Sequence, residues 1–307
     1  MKKTILWSLS LSKGLLCIVT LLLLTACSSA PKRSMQISTI YSSATEMIES
    51  ANACILSGDY EKAGFFLSAA ENQAMSIDNY DLLTAASLAR CSLSLSLNPP
   101  DIETAKRYIG FAQSFVNNCA DPKKQTSIVA LTQVRIQLAE ANVDETVNLN
   151  PSILLSTLEE NKKGVKGDAY YEAQFIQVEG DIYKFKKDYV QADKSYSSAA
   201  KAFTDNRYLS EIGLCWYKAA QARSLAGNKT GALEAMEQAI FYDRAVENSV
   251  ALGTDYYAVG LILLKGTASA VEKEKARQAF THSAEIFTAI NSSEMAKRSR
   301  EAAEAVE

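Results

Sequence analysis

Along most of the chain, apolar residues recur at spacings of three and four within long runs rich in Ala, Leu, Glu, Lys and Gln, a period that argues for helix throughout. Val and Ile do not gather into alternating runs, so no sheet is predicted. Proline separates some of these runs. Pro99-Pro100 and Pro122 divide apolar segments, Pro151 reads as the first turn of a helix, and no proline follows from Ser152 to Glu307. Short polar turns punctuate the rest, each followed by a small residue. Aligning the turns on that residue gives Ala63, Ala105, Ala192, Ala232 and Ala276, with intervals of 42, 87, 40 and 44 positions. The long interval has room for one further unit, whose second helix would follow Pro151. Six helical hairpins are therefore predicted. A unit of this size cannot bury its apolar face alone, so the copies must stack into a solenoid with a concave side.

The segment Gly58-Asp-Tyr-Glu-Lys-Ala-Gly-Phe-Phe-Leu-Ser-Ala-Ala70 carries the clearest motif. Gly58, Tyr60, Ala63 and Ala70 in the first unit, Gly180, Tyr189, Ala192, Tyr196 and Ala199 in the fourth, and Trp216, Ala220, Gly227, Ala232 and Ala239 in the fifth share one small-aromatic-small pattern. That pattern resembles the tetratricopeptide repeat (TPR), in which small side chains let two helices approach and an aromatic fills the gap to the next hairpin. The resemblance implies an all-α, right-handed superhelical solenoid over residues 38–290. The family's unit is about 34 residues, so intervals of 40 to 44 imply longer helices or loops. Generic antiparallel helix hairpins are the alternative. The polar segment 291–307, opening at Ser292 and Ser293, reads as a capping helix over the last open face.

The TPR resemblance also implies a binding groove formed by first-helix residues that face away from the second helix. Carried onto units four to six, it nominates Gln174, Gln177, Asp181, Lys184 and Phe185, then Tyr217, Gln221 and Leu225, then Tyr257, Leu261 and Leu264. Amides, aromatics and aliphatics together suit an extended peptide or a partner helix. The competing reading places Phe185, Tyr217, Tyr257 and the leucines in the core between hairpins. Tyr183, Tyr189, Tyr196 and Trp216 are assigned to core.

Residues 1–26 have the parts of a bacterial export signal: Lys2 and Lys3, an apolar run from Leu15 to Leu24, then small residues. Leu24-Thr25-Ala26-Cys27 resembles a lipobox, which implies cleavage before Cys27, acylation of its thiol and a tether over 27–37. An ordinary signal peptide or an uncleaved anchor are the alternatives. Ser28, in place of the Asp that many inner-membrane lipoproteins carry there, favours the outer membrane, facing the periplasm. Removing the segment takes Lys2, Lys3 and Lys13, leaving 29 of the 32 basic residues against 35 acidic ones. A mildly acidic, mixed surface offers no electrostatic footprint for nucleic acid.

Four cysteines remain after Cys17 and Cys27 are set aside: Cys54, Cys91, Cys119 and Cys215. They permit two disulfides and read equally as small buried thiols; none has metal spacing. The one histidine, His282, reads as a surface or packing residue. Ser198-Ala199-Ala200-Lys201 and Lys229-Thr230-Gly231 match two motifs of penicillin-recognising enzymes. They lie 28 residues apart in a helical array, with the second in a hairpin turn, so the match is read as chance. No phosphate loop or cofactor motif is present, and no enzyme is predicted. The expected role is a lipid-anchored envelope scaffold that holds a protein or peptide. The alternative is a carrier for a hydrophobic small molecule or an accessory lipoprotein of a solute transporter, with Leu225, Leu261 and Leu264 in its pocket.

Overall fold

The computed structural model describes residues 38–306. The predicted signal segment and tether, with Cys27, lie outside the described residues. Thirteen α-helices follow one another among the described residues, with no strand. They are α1 (Thr39–Leu56), α2 (Tyr60–Ser76), α3 (Tyr80–Ser96), α4 (Ile102–Phe115), α5 (Pro122–Val143), α6 (Pro151–Lys162) and α7 (Ala169–Phe185). The series continues with α8 (Tyr189–Asp205), α9 (Leu209–Leu225), α10 (Lys229–Ala245), α11 (Ser249–Leu264), α12 (Ala270–Ala289) and α13 (Ser293–Glu304). From α2 onward each helix packs on its neighbours in sequence, and α1 shares one apolar cluster with α2 and α3, giving six antiparallel hairpins and a closing helix. The chain is an all-α solenoid of TPR-like hairpins.

Local chemistry sets the period. The N-caps Asp168, Asp188, Tyr208, Asn228 and Asn248 fall twenty residues apart, and all but Tyr208 accept a backbone N–H with the side chain. Helices of 17 residues joined by three-residue turns therefore account for the 40-residue units. The last interval of 44 arises because α12 starts earlier relative to the core. Its capping box at Ser269 and Glu272 adds a turn ahead of Ala276.

Each of these turns needs one left-handed residue immediately before the N-cap. Glycine supplies it at Gly58 and Gly227, whereas Lys187, Arg207 and Glu247 adopt positive φ with a β-carbon present. A left-handed non-glycine residue costs about 1–2 kcal/mol, part of which glycine returns as unfolded-state entropy. Glu247 is exposed and its φ is +57°. Glu247→Gly is expected to stabilise the fold by about 0.5–1 kcal/mol in thermal unfolding.

The aligned alanines Ala63, Ala105, Ala192, Ala232 and Ala276 are all fully buried. Close helix approach is most visible in hairpin four, where a β-carbon on Gly180 of α7 would stand 2.6 Å from the Tyr196 ring of α8. Gly260 of α11 meets Phe280 of α12 in the same way, at 2.5 Å. The four cysteines are free thiols. Cys91 points at the Ala105 carbonyl, Cys119 sits 3.3 Å from the Thr84 hydroxyl and Cys215 accepts from Gln177 at 3.3 Å. Burial pushes the Cys215 thiol up to about 11. In α13, Ser299 meets Ser283 of α12 at 2.9 Å, so the closing helix is bonded to the last hairpin. Ser292 is its N-cap, without a side-chain cap bond.

Candidate functional site

First helices touch first helices where α3 meets α5 and α5 meets α7, and the surface they share is concave. Helices α1, α3, α5, α7 and α9 together line one groove of about 1230 Å³. Its two ends differ in chemistry. The α1–α3 wall presents Ile48, Ile55, Leu88 and Leu95 with Ser92 and Ser96, while the α5–α9 wall presents Arg135, Tyr170, Asp181, Lys184, Glu211 and Lys218.

The polar wall is prearranged. Asp181 accepts from the Tyr196 hydroxyl at 2.8 Å and from Lys218 Nζ at 2.9 Å, so that lysine is neutralised. Arg135 instead donates to Gln174 Oε1, and Lys184 Nζ donates to Gln221 Oε1 at 2.7 Å. Neither forms an ion pair among the described residues. Burial lowers the Lys184 ammonium, Asp181 opposes that shift, and the neighbouring Lys218 charge adds to it. Two groove cations are thus held by amide oxygens, which orient them without cancelling their charge.

The nominated residues divide accordingly. Gln174, Gln177, Asp181, Lys184 and Phe185 on α7 line the groove, and Leu225 stands on it at 46% exposure. Tyr217 does not line it; it packs with Tyr196 and Met236 in the core between hairpins. Gln221 is linked to the groove through Lys184. Tyr257 stacks on Phe280 at 5.2 Å and under the Arg298 guanidinium of α13 at 5.0 Å, Leu264 joins that cluster, and Leu261 is 51% exposed away from the groove. The wall therefore ends at α9. There the lining position is Lys218, one residue beyond Tyr217, and the corresponding part of α11 is occupied by the closing helix. Tyr189, assigned to core from its motif, lies at the groove edge.

Sequence reasoning missed Arg135. Its signal was a lone cation between Val134 and Ile136 in unit three, outside the units that carry the repeat motif. The remaining motif residues have local partners. Ser198 donates to the Lys194 carbonyl in its own helix, Lys229 bridges to Glu272 at 3.1 Å, and His282 lies edge-on to Tyr256 with Glu285 at 3.2 Å.

No family model and no curated protein matches the sequence. Solved structures do match. The chain shares its fold with Rap proteins. The apo form of RapI superposes with a TM-score of 0.56 at 14% identity, over 85% of this chain and 71% of that one. A Rap protein complexed with Competence and Sporulation Factor gives 0.56 at 15% identity, over 83% and 68%. At such identity the likeness establishes architecture, and the groove has to be read from its own residues.

Proposed function

We propose that this chain is a lipid-anchored scaffold of the bacterial envelope that holds an extended peptide or protein segment in its concave groove. The observation that carries the reading is the pair Arg135 and Lys184, positioned by Gln174 and Gln221 and without a carboxylate partner. A bound segment with an acidic side chain or a terminal carboxylate would complete them, while its apolar residues fill the α1–α3 wall. The Rap protein complexed with Competence and Sporulation Factor supports the same use of the architecture. Cys27 is the proposed lipid attachment site and the outer membrane the proposed location. Among the described residues, no helix is long and apolar enough to cross a membrane.

Selection from a displayed library of random dodecapeptides tests the groove. Enriched sequences should pair an acidic group with an apolar stretch, and Ser92→Trp, which plugs the apolar wall, should lower their capture about tenfold or more. Absence of enrichment, or capture untouched by Ser92→Trp, would refute the assignment. Metabolic labelling with palmitate, lost in Cys27→Ser, tests the anchor separately.

A second reading, a carrier for a hydrophobic solute, draws on one observation. A β-carbon on Gly58, in the first hairpin turn, would stand 3.7 Å from a Val250 methyl of α11, so the two ends of the solenoid approach each other around the groove. The apolar wall in this arrangement is Ile48, Ile55, Leu88 and Leu95, with Leu225 also on the groove and Leu261 and Leu264 off it. Native mass spectrometry separates the readings through a retained small ligand.

A further inference from the structure

The repeat register exposes an anomaly at the joint between hairpins five and six. Two positions twelve residues apart, late in a second helix and midway along the next first helix, meet at the joints between hairpins. At the first joint they are Ala74 and Ala86, and at the fourth Phe203 and Cys215, each pair within one apolar cluster. At the fifth joint the same two positions are Asp243 and Asp255. Both are buried, at 4% and 1% exposure, and each carboxyl bears on the ionisation of the other.

Everything packed around the pair withholds compensation. On α9, Gly213 lies so close that a β-carbon there would meet the Asp243 carboxyl at 2.5 Å, and the titratable group from that helix is the Tyr217 phenol, which senses Asp255. Helix α12 brings Phe280, Phe287 and Ser283 against the glycines of α11, while its His282 and Glu285 lie beside Tyr256, whose hydroxyl accepts from Arg244 of α10. From α13 the cation is Arg298, which acts on Tyr217 and lies over Tyr257. No lysine or arginine bridges to either aspartate among the described residues, and Asp255 Oδ2 has no hydrogen-bond partner. Burial raises both carboxyls above the ordinary carboxylate range, with Asp255 raised further by the Asp243 charge.

We infer that one proton shared by Asp243 and Asp255 latches hairpin six onto hairpin five, and that its loss slackens this joint and the first turn of α11, which carries Val250 to hairpin one. In the latched state the Asp255 hydroxyl donates to the Asp243 carboxylate. Deprotonation sends that proton to solvent and leaves two carboxylates facing each other in a site without a cation. The sign follows from the raised carboxyls: the folded joint binds more protons than the opened one, so its stability is greatest in acid and is lost as pH rises. The contact between Gly58 and Val250 is where the slackening would reach the groove, since it joins the two ends of the solenoid. This inference stands whether the groove takes a peptide or a solute.

Hydrogen exchange on the mature chain, with exchange times scaled for intrinsic rates, reads the joint directly at about pH 5.5 and about pH 9. Peptides covering α10 and α11 should lose about tenfold or more of their protection at the higher pH, while those of α3 and α5 hold theirs. Asp255→Asn, whose amide can donate to Asp243 at any pH, should keep α10 and α11 protected at both. Asp243→Phe with Asp255→Cys rebuilds the pair found at the preceding joint and should likewise abolish the pH response, which guards against a folding defect in the first variant. Wild-type protection that does not change between the two pH values would overturn the latch. So would an equal loss in both variants.

Discussion

Tyr196→Ala is expected to lower the unfolding free energy by about 3–5 kcal/mol, the range for truncating a fully buried aromatic. The ring is 0% exposed, lies against the Gly180 backbone, and sends its hydroxyl to Asp181. Truncation opens a cavity that neither helix can close, because Gly180 has no side chain to offer. It also leaves Asp181 with Lys218 as its remaining partner. Tyr196→Phe separates the parts: it keeps the packing and should cost about 1.5–3 kcal/mol, the net value of one hydrogen bond to a charged group. Gly180→Ala is expected to destabilise the parent, since its methyl would strike the ring, and to be tolerated once Tyr196 is alanine. A double-mutant cycle in urea measures that coupling, and additive effects would show that the two positions do not share one contact.

The second large effect concerns the groove. Arg135→Glu with Lys184→Glu should weaken capture of the selected acidic peptides by about 2–5 kcal/mol, at least thirtyfold, while helicity and melting temperature stay near the parent values. The partition is physical. Gln174 and Gln221 hold the two cations without neutralising them, so most of their electrostatic interaction is available to a ligand. Lys187→Glu changes charge at the groove edge in an exposed turn and should cost far less, with its effect vanishing in high salt. Equal losses from the two sets would mean that net charge, and not the Arg135–Lys184 pair, governs binding.

Much of the architecture was legible because small residues at fixed intervals leave little choice. An alanine that must sit against a facing helix marks its position in five of the six copies, and the unit with its second helix at Pro151 followed from length alone. The nominated register placed Gln174, Gln177, Asp181 and Lys184 of α7 on the groove lining. It failed at Tyr217 and Tyr257 for a reason of packing. A one-position rotation of α9 brings Lys218 to the surface and turns Tyr217 inward, and α13 covers Tyr257 through Arg298. Composition could not forecast either event, since an aromatic serves equally as core or as anchor. The Asp243–Asp255 pair was hidden for the opposite reason. Acidic residues on a helix read as solvated until the twelve-residue relation to Phe203 and Cys215 places them inside.

The twenty-residue cadence of N-caps from Asp168 to Asn248 has a consequence for how such a chain can change length. Each step of twenty reverses the direction of the helix and exchanges groove wall for outer wall. A loss or gain of twenty residues would thus turn inward-facing side chains outward for every hairpin downstream. A change of forty removes or adds one complete hairpin and leaves every other side chain facing as before. The groove can therefore lengthen or shorten only in whole hairpins, while the closing helix α13 continues to fit whichever hairpin comes last, provided that hairpin retains the Ser283 to which Ser299 is bonded.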